Sequence, residues 1–141
     1  MKKYILFFSL LSISIYANEQ GLKLFEKNCK KCHFSEIPQD KSKMKAPPAF
    51  AITMHVKQKN STLKEFSAFV KDYVIKPSKE KSLCAKKTIK RFGLMPSLKG
   101  KIKDKELEAI AKYLYDNFAN HGTFEENHKI LKEKMHPKKE H

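Results

Sequence analysis

The pentapeptide Cys29-Lys30-Lys31-Cys32-His33 is the feature that most constrains what this chain of 141 residues can fold into. Cysteines three positions apart lie on neighbouring positions of a helical turn, so both thiols can reach one edge of a flat ring system. A histidine directly after the second cysteine can then turn under the centre of that ring. This order is typical of a c-type haem attachment site, where the thiols add to the porphyrin vinyl groups. We therefore predict one covalently attached haem c, with Cys29 and Cys32 as its attachment points and His33 as an axial iron ligand.

Two other chemistries also use closely spaced cysteines. A zinc site needs a second pair of ligands at metal spacing, and the sequence contains no later C-x-x-C or H-x-x-x-H. A thioredoxin-like dithiol needs the strands of a βαβ pattern, which the sequence lacks. Both alternatives stay open, but the rest of the chain favours haem.

The N-terminus has the pattern of a secretory signal peptide. Lys2 and Lys3 precede an apolar stretch from Tyr4 to Tyr16, and the small residue Ala17 precedes a polar run. The stretch is short for a bilayer span, which takes about 20 apolar residues. We predict a cleaved signal peptide over residues 1–17, export to the periplasm and no stable membrane insertion. An uncleaved anchor is the alternative.

The remaining chain is long enough for one small domain with a single core. We predict a haem domain over residues 18–120 and a basic tail rich in His and Lys over 121–141, whose scattered histidines are most simply solvated. The formal net charge is +15, and loss of Lys2 and Lys3 leaves a basic mature chain. Such a charge favours docking on acidic protein surfaces or on an anionic membrane face. A lysine coat that serves solubility is the alternative.

Helical periodicity predicts five helical segments, separated by loops that contain Pro, Gly or Lys. The segments are residues 21–28, 49–57 and 63–76, a short helix within 78–91, and 104–118. The capping box Thr62-x-x-Glu65 marks the start of the third segment. Gly21 lowers helix propensity, so we expect the last helix to cross the first one closely there. An ordinary frayed first turn is the alternative.

Apolar residues at helical spacing identify candidates for burial. In the second segment we expect Phe50, Met54 and Ile52 to face inward, and near the fourth Leu83, Ile89 and Phe92.

A proline pair offers a hydrogen-bond acceptor for the ligand histidine. A metal-ligating histidine usually donates its second ring N–H to a carbonyl or carboxylate. Prolines donate no backbone hydrogen bond, but their carbonyls accept. We therefore predict that the carbonyl of Pro47, or failing that of Pro48, accepts from His33.

A methionine in a later loop is placed to supply the second axial ligand. Met95 precedes Pro96 in a loop bracketed by Gly93 and Gly100. His and Met together give a six-coordinate haem suited to electron transfer. Lone methionines are more often core residues. The loop context favours Met95 over Met44 and Met54, and His55 is the remaining rival.

The order of these motifs resembles the class I cytochromes c, in particular small bacterial monohaem members. The resemblance covers roughly residues 20–119 and rests on G-x-x-x-F, C-x-x-C-H, a proline-bearing loop, F-G-x-M-P-S-L and E-L-x-x-I-A-x-Y-L. It implies an all-α cytochrome c fold of three to five helices wrapped around one haem. It also implies Gly21 and Phe25 packed on Ile110, Tyr113 and Leu114, and axial positions taken by His33 and Met95.

Three positions depart from the family pattern. Ala46 stands where the family usually has a glycine before its haem-packing proline, so the loop path there can differ. Cys84 has no role in the pattern, and the tail beyond Ala119 extends past the usual end. None of the three is a predicted ligand.

These features predict a periplasmic one-electron carrier rather than an enzyme. We expect a monomer whose partners are redox proteins with acidic docking surfaces, and no nucleic-acid partner. The lysines expected near the haem edge are Lys30, Lys31, Lys90, Lys99 and Lys101. A haem subunit of a larger respiratory oxidase or reductase is the first alternative. A haem enzyme with an open iron position is the second, although a dihaem peroxidase would need a second C-x-x-C-H.

Overall fold

The computed structural model describes residues 5–118, and it describes the side chains of residue 16 and residues 18–118. The tail predicted over 121–141 lies outside this range. Five α-helices and one short 3-10 helix, with no strand, make up the regular structure between residues 5 and 118. They are α1 (Ile5–Asn28), the 3-10 helix (Lys41–Lys43), α2 (Ala49–Lys59), α3 (Leu63–Ile75), α4 (Lys86–Phe92) and α5 (Asp104–Phe118). The all-α prediction is confirmed.

The first helix is longer than the sequence suggested. α1 runs from Ile5 to Asn28 without a break at Ala17, because the apolar segment before that position and the amphipathic segment after it both favour helix. Cleavage after Ala17 stays a prediction, since a continuous helix is compatible with either outcome. No helix within residues 5–118 combines the length and the apolar character that a membrane span requires.

The close crossing expected at Gly21 is present. A Cβ built at Gly21 would lie 2.6 Å from the carbonyl oxygen of Ala109 and 2.6 Å from the Cβ of Tyr113, both on α5. One turn later Phe25 is fully buried, and its ring centroid lies 5.7 Å from that of Tyr113. Glycine is therefore at position 21 because α1 and α5 touch backbone to backbone.

The main core lies between α1, α2, α3 and α5. Its buried members include Phe25, Ala49, Phe66, Ile110 and Leu114. Burial of these apolar side chains supplies the main free energy that holds the four helices together.

The capping box predicted for α3 is also present. The Thr62 hydroxyl accepts from the backbone N–H of Glu65, and the Glu65 carboxylate accepts from the backbone N–H of Thr62. The two bonds satisfy donors that the first turn of a helix leaves without partners. They start α3 at Leu63, and the helix ends at Ile75, before Pro77.

Helix α2 has no single apolar face. Met54 is buried as expected, whereas Phe50 and Ile52 are only half-buried, and Thr53 and Val56 are buried although the sequence did not single them out. The reason is that α2 has three different neighbours. Val56 joins the main core, Phe50 and Met54 belong to a small second cluster with Ile37, and Ile52 faces the cavity described below.

Candidate haem site

A mostly apolar cavity opens to solvent beside the main core. It encloses about 220 Å³. Its walls come from α1, α2, α3, α4, α5 and the loops between them. The apolar wall residues include Phe25, Ile52, Phe69, Val70, Ile89, Phe92, Leu107 and Ile110. This lining suits a flat, mostly apolar group that keeps one edge at the open side.

The C-x-x-C-H motif occupies a tight turn directly after α1. The backbone N–H groups of Cys32 and His33 both donate to the carbonyl of Cys29, at 3.0 and 2.8 Å. This turn brings Cys29, Cys32 and His33 to the wall of the cavity. Because α1 is held against α5 through Gly21, the motif begins from a rigid support.

The two motif cysteines are free thiols in this structure. Burial, and to a smaller extent the neighbouring Cys32, raise the pKa of Cys29 to about 11. Cys29 is therefore a protonated thiol at neutral pH. Among residues 5–118 no three His, Cys, Asp or Glu side chains group together as metal ligands. The described residues therefore give the zinc alternative no support.

His33 is held as a neutral imidazole. Its Nδ1 lies 2.7 Å from the carbonyl oxygen of Pro47, and since a carbonyl only accepts, Nδ1 carries the proton and donates. Burial lowers the pKa of His33, and the bond to Pro47 opposes that change in part. The Nε2 lone pair is therefore left to bind a metal.

The loop that carries Pro47 is fastened at both ends. The backbone N–H of Ala49 donates to the carbonyl of Phe34 at 2.8 Å, which joins the start of α2 to the residue after His33. Pro48 is the N-cap of α2 and has an extended backbone conformation. The hydrogen bond between His33 and Pro47 forms with Ala46 in place of the family's usual glycine, so this departure does not divert the carbonyl.

Met95 lines the same cavity from the loop between α4 and α5. Gly93 and Gly100 bracket this loop with φ angles of +77° and +76°, in the left-handed region that favours glycine. The rival His55 also lines the cavity, from α2. Met44 and Met54 are both buried, and neither is among the residues that line the cavity. The candidates for a second axial ligand are therefore Met95 and His55.

Four residues on the cavity wall were not predicted to lie there from the sequence. Leu83, Ile89 and Phe92 were expected to be buried, but each is half-buried and lines the cavity. Apolar side chains have the same spacing whether they pack against another helix or against a cofactor. The sequence therefore could not tell whether these three residues belong to the core or to the cavity wall. Cys84 lies on the same wall, and burial raises the pKa of its thiol while a hydrogen bond with Ser82 lowers it. Spacing gave no signal for Cys84.

The side of the cavity that carries Met95 is strongly basic. Residues 76–103 contain ten Lys or Arg and one acidic residue. Of the lysines expected at the haem edge, Lys31, Lys90, Lys99 and Lys101 are exposed and form no ion pair with any described residue, whereas Lys30 pairs with Glu26 at 2.5 Å. The positive field is therefore concentrated beside the Met95 loop.

The residues around the cavity fit a haem c. A motif turn supplies two thiols, one of them held protonated, and a neutral imidazole nitrogen. The loop between α4 and α5 supplies the thioether of Met95, and the remaining wall is mainly apolar. Cys29, Cys32 and His33 would hold the group, and Met95 is available as a further ligand.

Comparison with known proteins gives two findings. Residues 17–114 match the model of the family described as cytochrome C oxidase, cbb3-type, subunit III. An uncharacterized protein of Aquifex aeolicus (strain VF5) is 31% identical over 136 residues, which are 87% of this chain and 86% of that protein. No solved structure matches the chain.

Proposed function

The chain belongs to the c-type cytochrome family described as cytochrome C oxidase, cbb3-type, subunit III, and on that premise we propose that it is a periplasmic carrier of single electrons whose haem is ligated by His33 and Met95. The domain carries covalently attached haem c, and its class acts in electron transfer. The ligand pair, the periplasmic location and the mode of docking are our proposals.

One observation carries the ligation proposal. The bond from Nδ1 of His33 to the Pro47 carbonyl leaves Nε2 as the metal-binding nitrogen, in a cavity that Met95 also lines. A histidine held by a carbonyl is a stronger and better oriented ligand than a free one. Met95 is half-buried in a loop stiffened by Pro96, so its thioether stays near the cavity.

When bound, haem supplies an Fe(II)/Fe(III) couple that transfers one electron. The protein residues do the rest. Cys29 and Cys32 would tether the group, and His33 and Met95 would bind the iron, which would leave no position for a substrate. The apolar wall keeps water away and lowers the local dielectric, which tunes the reduction potential.

The exposed lysines beside the Met95 loop would orient the protein on acidic redox partners. Fields of this kind raise the rate of encounter, and salt weakens them. We expect brief contacts with more than one partner, made by a monomer.

Replacement of Met95 tests the ligation directly. Met95→Leu removes the sulfur at nearly constant volume, and Met54→Leu is the matched control because Met54 lies outside the cavity. The oxidised protein should show a weak long-wavelength sulfur-to-iron band that Met95→Leu loses and Met54→Leu retains. Reduced Met95→Leu should bind CO, which the unmodified protein should not bind.

A sulfur-to-iron band that persists in Met95→Leu would refute ligation by Met95. If only a His55→Leu variant binds CO, the second axial position would belong to His55.

A second candidate function is a haem subunit of a larger oxidase or reductase. The description of the matched family, subunit III of a cbb3-type oxidase, favours it. Gel filtration of the protein purified from its natural membrane and soluble fractions separates the two functions. A stable, fixed partner would support the subunit, and a monomer would support the carrier.

A further inference from the structure

The Met95 loop is fastened to the end of α3 by its own serine. The Ser97 hydroxyl donates to the carbonyl of Ile75 at 2.6 Å, and the backbone N–H of Leu98 donates to the carbonyl of Val74 at 3.0 Å. The Ser97 oxygen also accepts from the backbone N–H of Lys99 at 3.1 Å. Two helix carbonyls and one serine thus join segments that are 22 residues apart in the sequence.

This fastening uses groups that α3 leaves available. The last four carbonyls of a helix have no partner within the helix, and Val74 and Ile75 are the last two residues of α3. The same turn of α3 lines the cavity through Tyr73 and Val74. The wall of the cavity and the anchor of the Met95 loop are therefore one structural element.

The anchor acts at short range on Met95. Only Pro96 separates Met95 from Ser97, and the proline ring fixes its own φ and restricts the conformation of the residue before it. A displacement of the Ser97 backbone therefore also displaces Met95, because the segment between them has little conformational freedom. In the other direction the loop begins at Gly93, which is exposed and caps α4 by donating its backbone N–H to the Ile89 carbonyl at 2.8 Å.

We propose that Ser97 is a positioning residue that keeps the Met95 thioether at the iron by tying its loop to the Ile75 carbonyl. The inference rests on the proposed ligation by Met95. Without the hydroxyl, the loop detaches more often, and an added ligand competes for the vacated position more easily. The population of the detached form sets the apparent affinity for that ligand.

Imidazole binding to the oxidised holoprotein measures this population. One hydrogen bond is worth about 0.5–1.5 kcal/mol, which corresponds to about 2- to 12-fold in affinity. We expect Ser97→Ala to increase the affinity for imidazole by an amount in the lower half of that range, because Ser97 is exposed. Ser97→Thr keeps a hydroxyl and should restore the unmodified affinity. Ser42→Ala is the matched control: Ser42 is also exposed, its hydroxyl donates to Asp40 at 2.6 Å, and it does not line the cavity. Its imidazole affinity should not change.

A double variant separates positioning from a general loss of stability. In a Met95→Leu background there is no thioether to hold, so Ser97→Ala should leave imidazole affinity unchanged. A further increase there, or an unchanged affinity in Ser97→Ala alone, would overturn the role of Ser97. If Met95→Leu itself leaves both the spectrum and the affinity unchanged, the proposed ligation fails instead, so the two failures are distinguishable.

Discussion

Replacement of Gly21 by alanine sets two physical effects against each other. In an isolated helix, Gly→Ala is stabilising by about 1 kcal/mol. In this protein the added Cβ would lie 2.6 Å from the Ala109 carbonyl oxygen and 2.6 Å from the Tyr113 Cβ. Neither contact is with the end of a flexible side chain, so the helices α1 and α5 must move apart.

The steric effect should dominate. Overpacking of a well-packed contact typically costs about 1–3 kcal/mol, and we take roughly 3 kcal/mol because both contacts involve atoms fixed to the α5 backbone. After the gain in helix propensity, a net loss of about 2 kcal/mol remains. For a domain of this size, that loss corresponds to a fall in Tm of roughly 8–16 °C. Because α1 leads directly into Cys29, the displacement should also reach the haem site.

Denaturant and thermal unfolding of the holoprotein, followed by far-UV circular dichroism, give the free energy of unfolding. Gln20→Ala is the control, since Gln20 is exposed on the same helix and the change adds no atoms. The control should unfold within about 0.5 kcal/mol of the unmodified protein. A Gly21→Ala protein that is equally stable or more stable would show that the α1–α5 crossing is looser than described here, and would refute the steric argument.

Two threonines and the basic surface provide further predictions. The Thr53 hydroxyl is buried and has no hydrogen-bond partner among the described residues, so Thr53→Val should raise the free energy of unfolding by about 1 kcal/mol. Thr62→Val removes the α3 cap and should lower the free energy of unfolding by about 1 kcal/mol. If denaturant unfolding showed that both threonine variants change the free energy of unfolding in the same direction, this reasoning would be contradicted. Hydrogen bonds from the Thr62 backbone N–H and hydroxyl lower the pKa of Glu65, so the contribution of the cap should be present above about pH 4.3, the ordinary glutamate pKa, and fall as the pH drops below it. Electron transfer to an acidic redox protein should slow as ionic strength rises, and Lys99→Glu should slow it more than Lys64→Glu on α3; rates indifferent to salt would exclude steering.

Much of the secondary structure follows from local sequence. The capping box at Thr62 and the acidic first turn of α5 mark helix starts through bonds and charges within a few residues of each other. The Pro47 carbonyl could be named as an acceptor for His33 because a ligand histidine needs an acceptor for its second ring N–H, and the proline pair offers carbonyls free to accept. The roles of Met95, His33 and the two motif cysteines toward haem stay predictions that the experiments above address.

Helix α2 and the segment before Met95 show where local sequence is insufficient. A period of 3.6 residues says which side chains share a face, but it does not say what covers that face. Ile52 and Val56 lie one turn apart and both line the cavity, and Val56 also joins the main core, whereas Met54 packs in the second cluster. Ile89 and Phe92 have the spacing of core residues, and they line the cavity instead.

The sequence by itself determined the cofactor class and the order of the helices, because both depend on residues close together in the chain. Only the tertiary structure decided how closely α1 and α5 approach at Gly21, that Cys84 and His55 share the cavity with the motif, and that Ser97 reaches the end of α3. These contacts join distant segments through space, and an interaction across 22 or more residues leaves no periodic trace in the sequence.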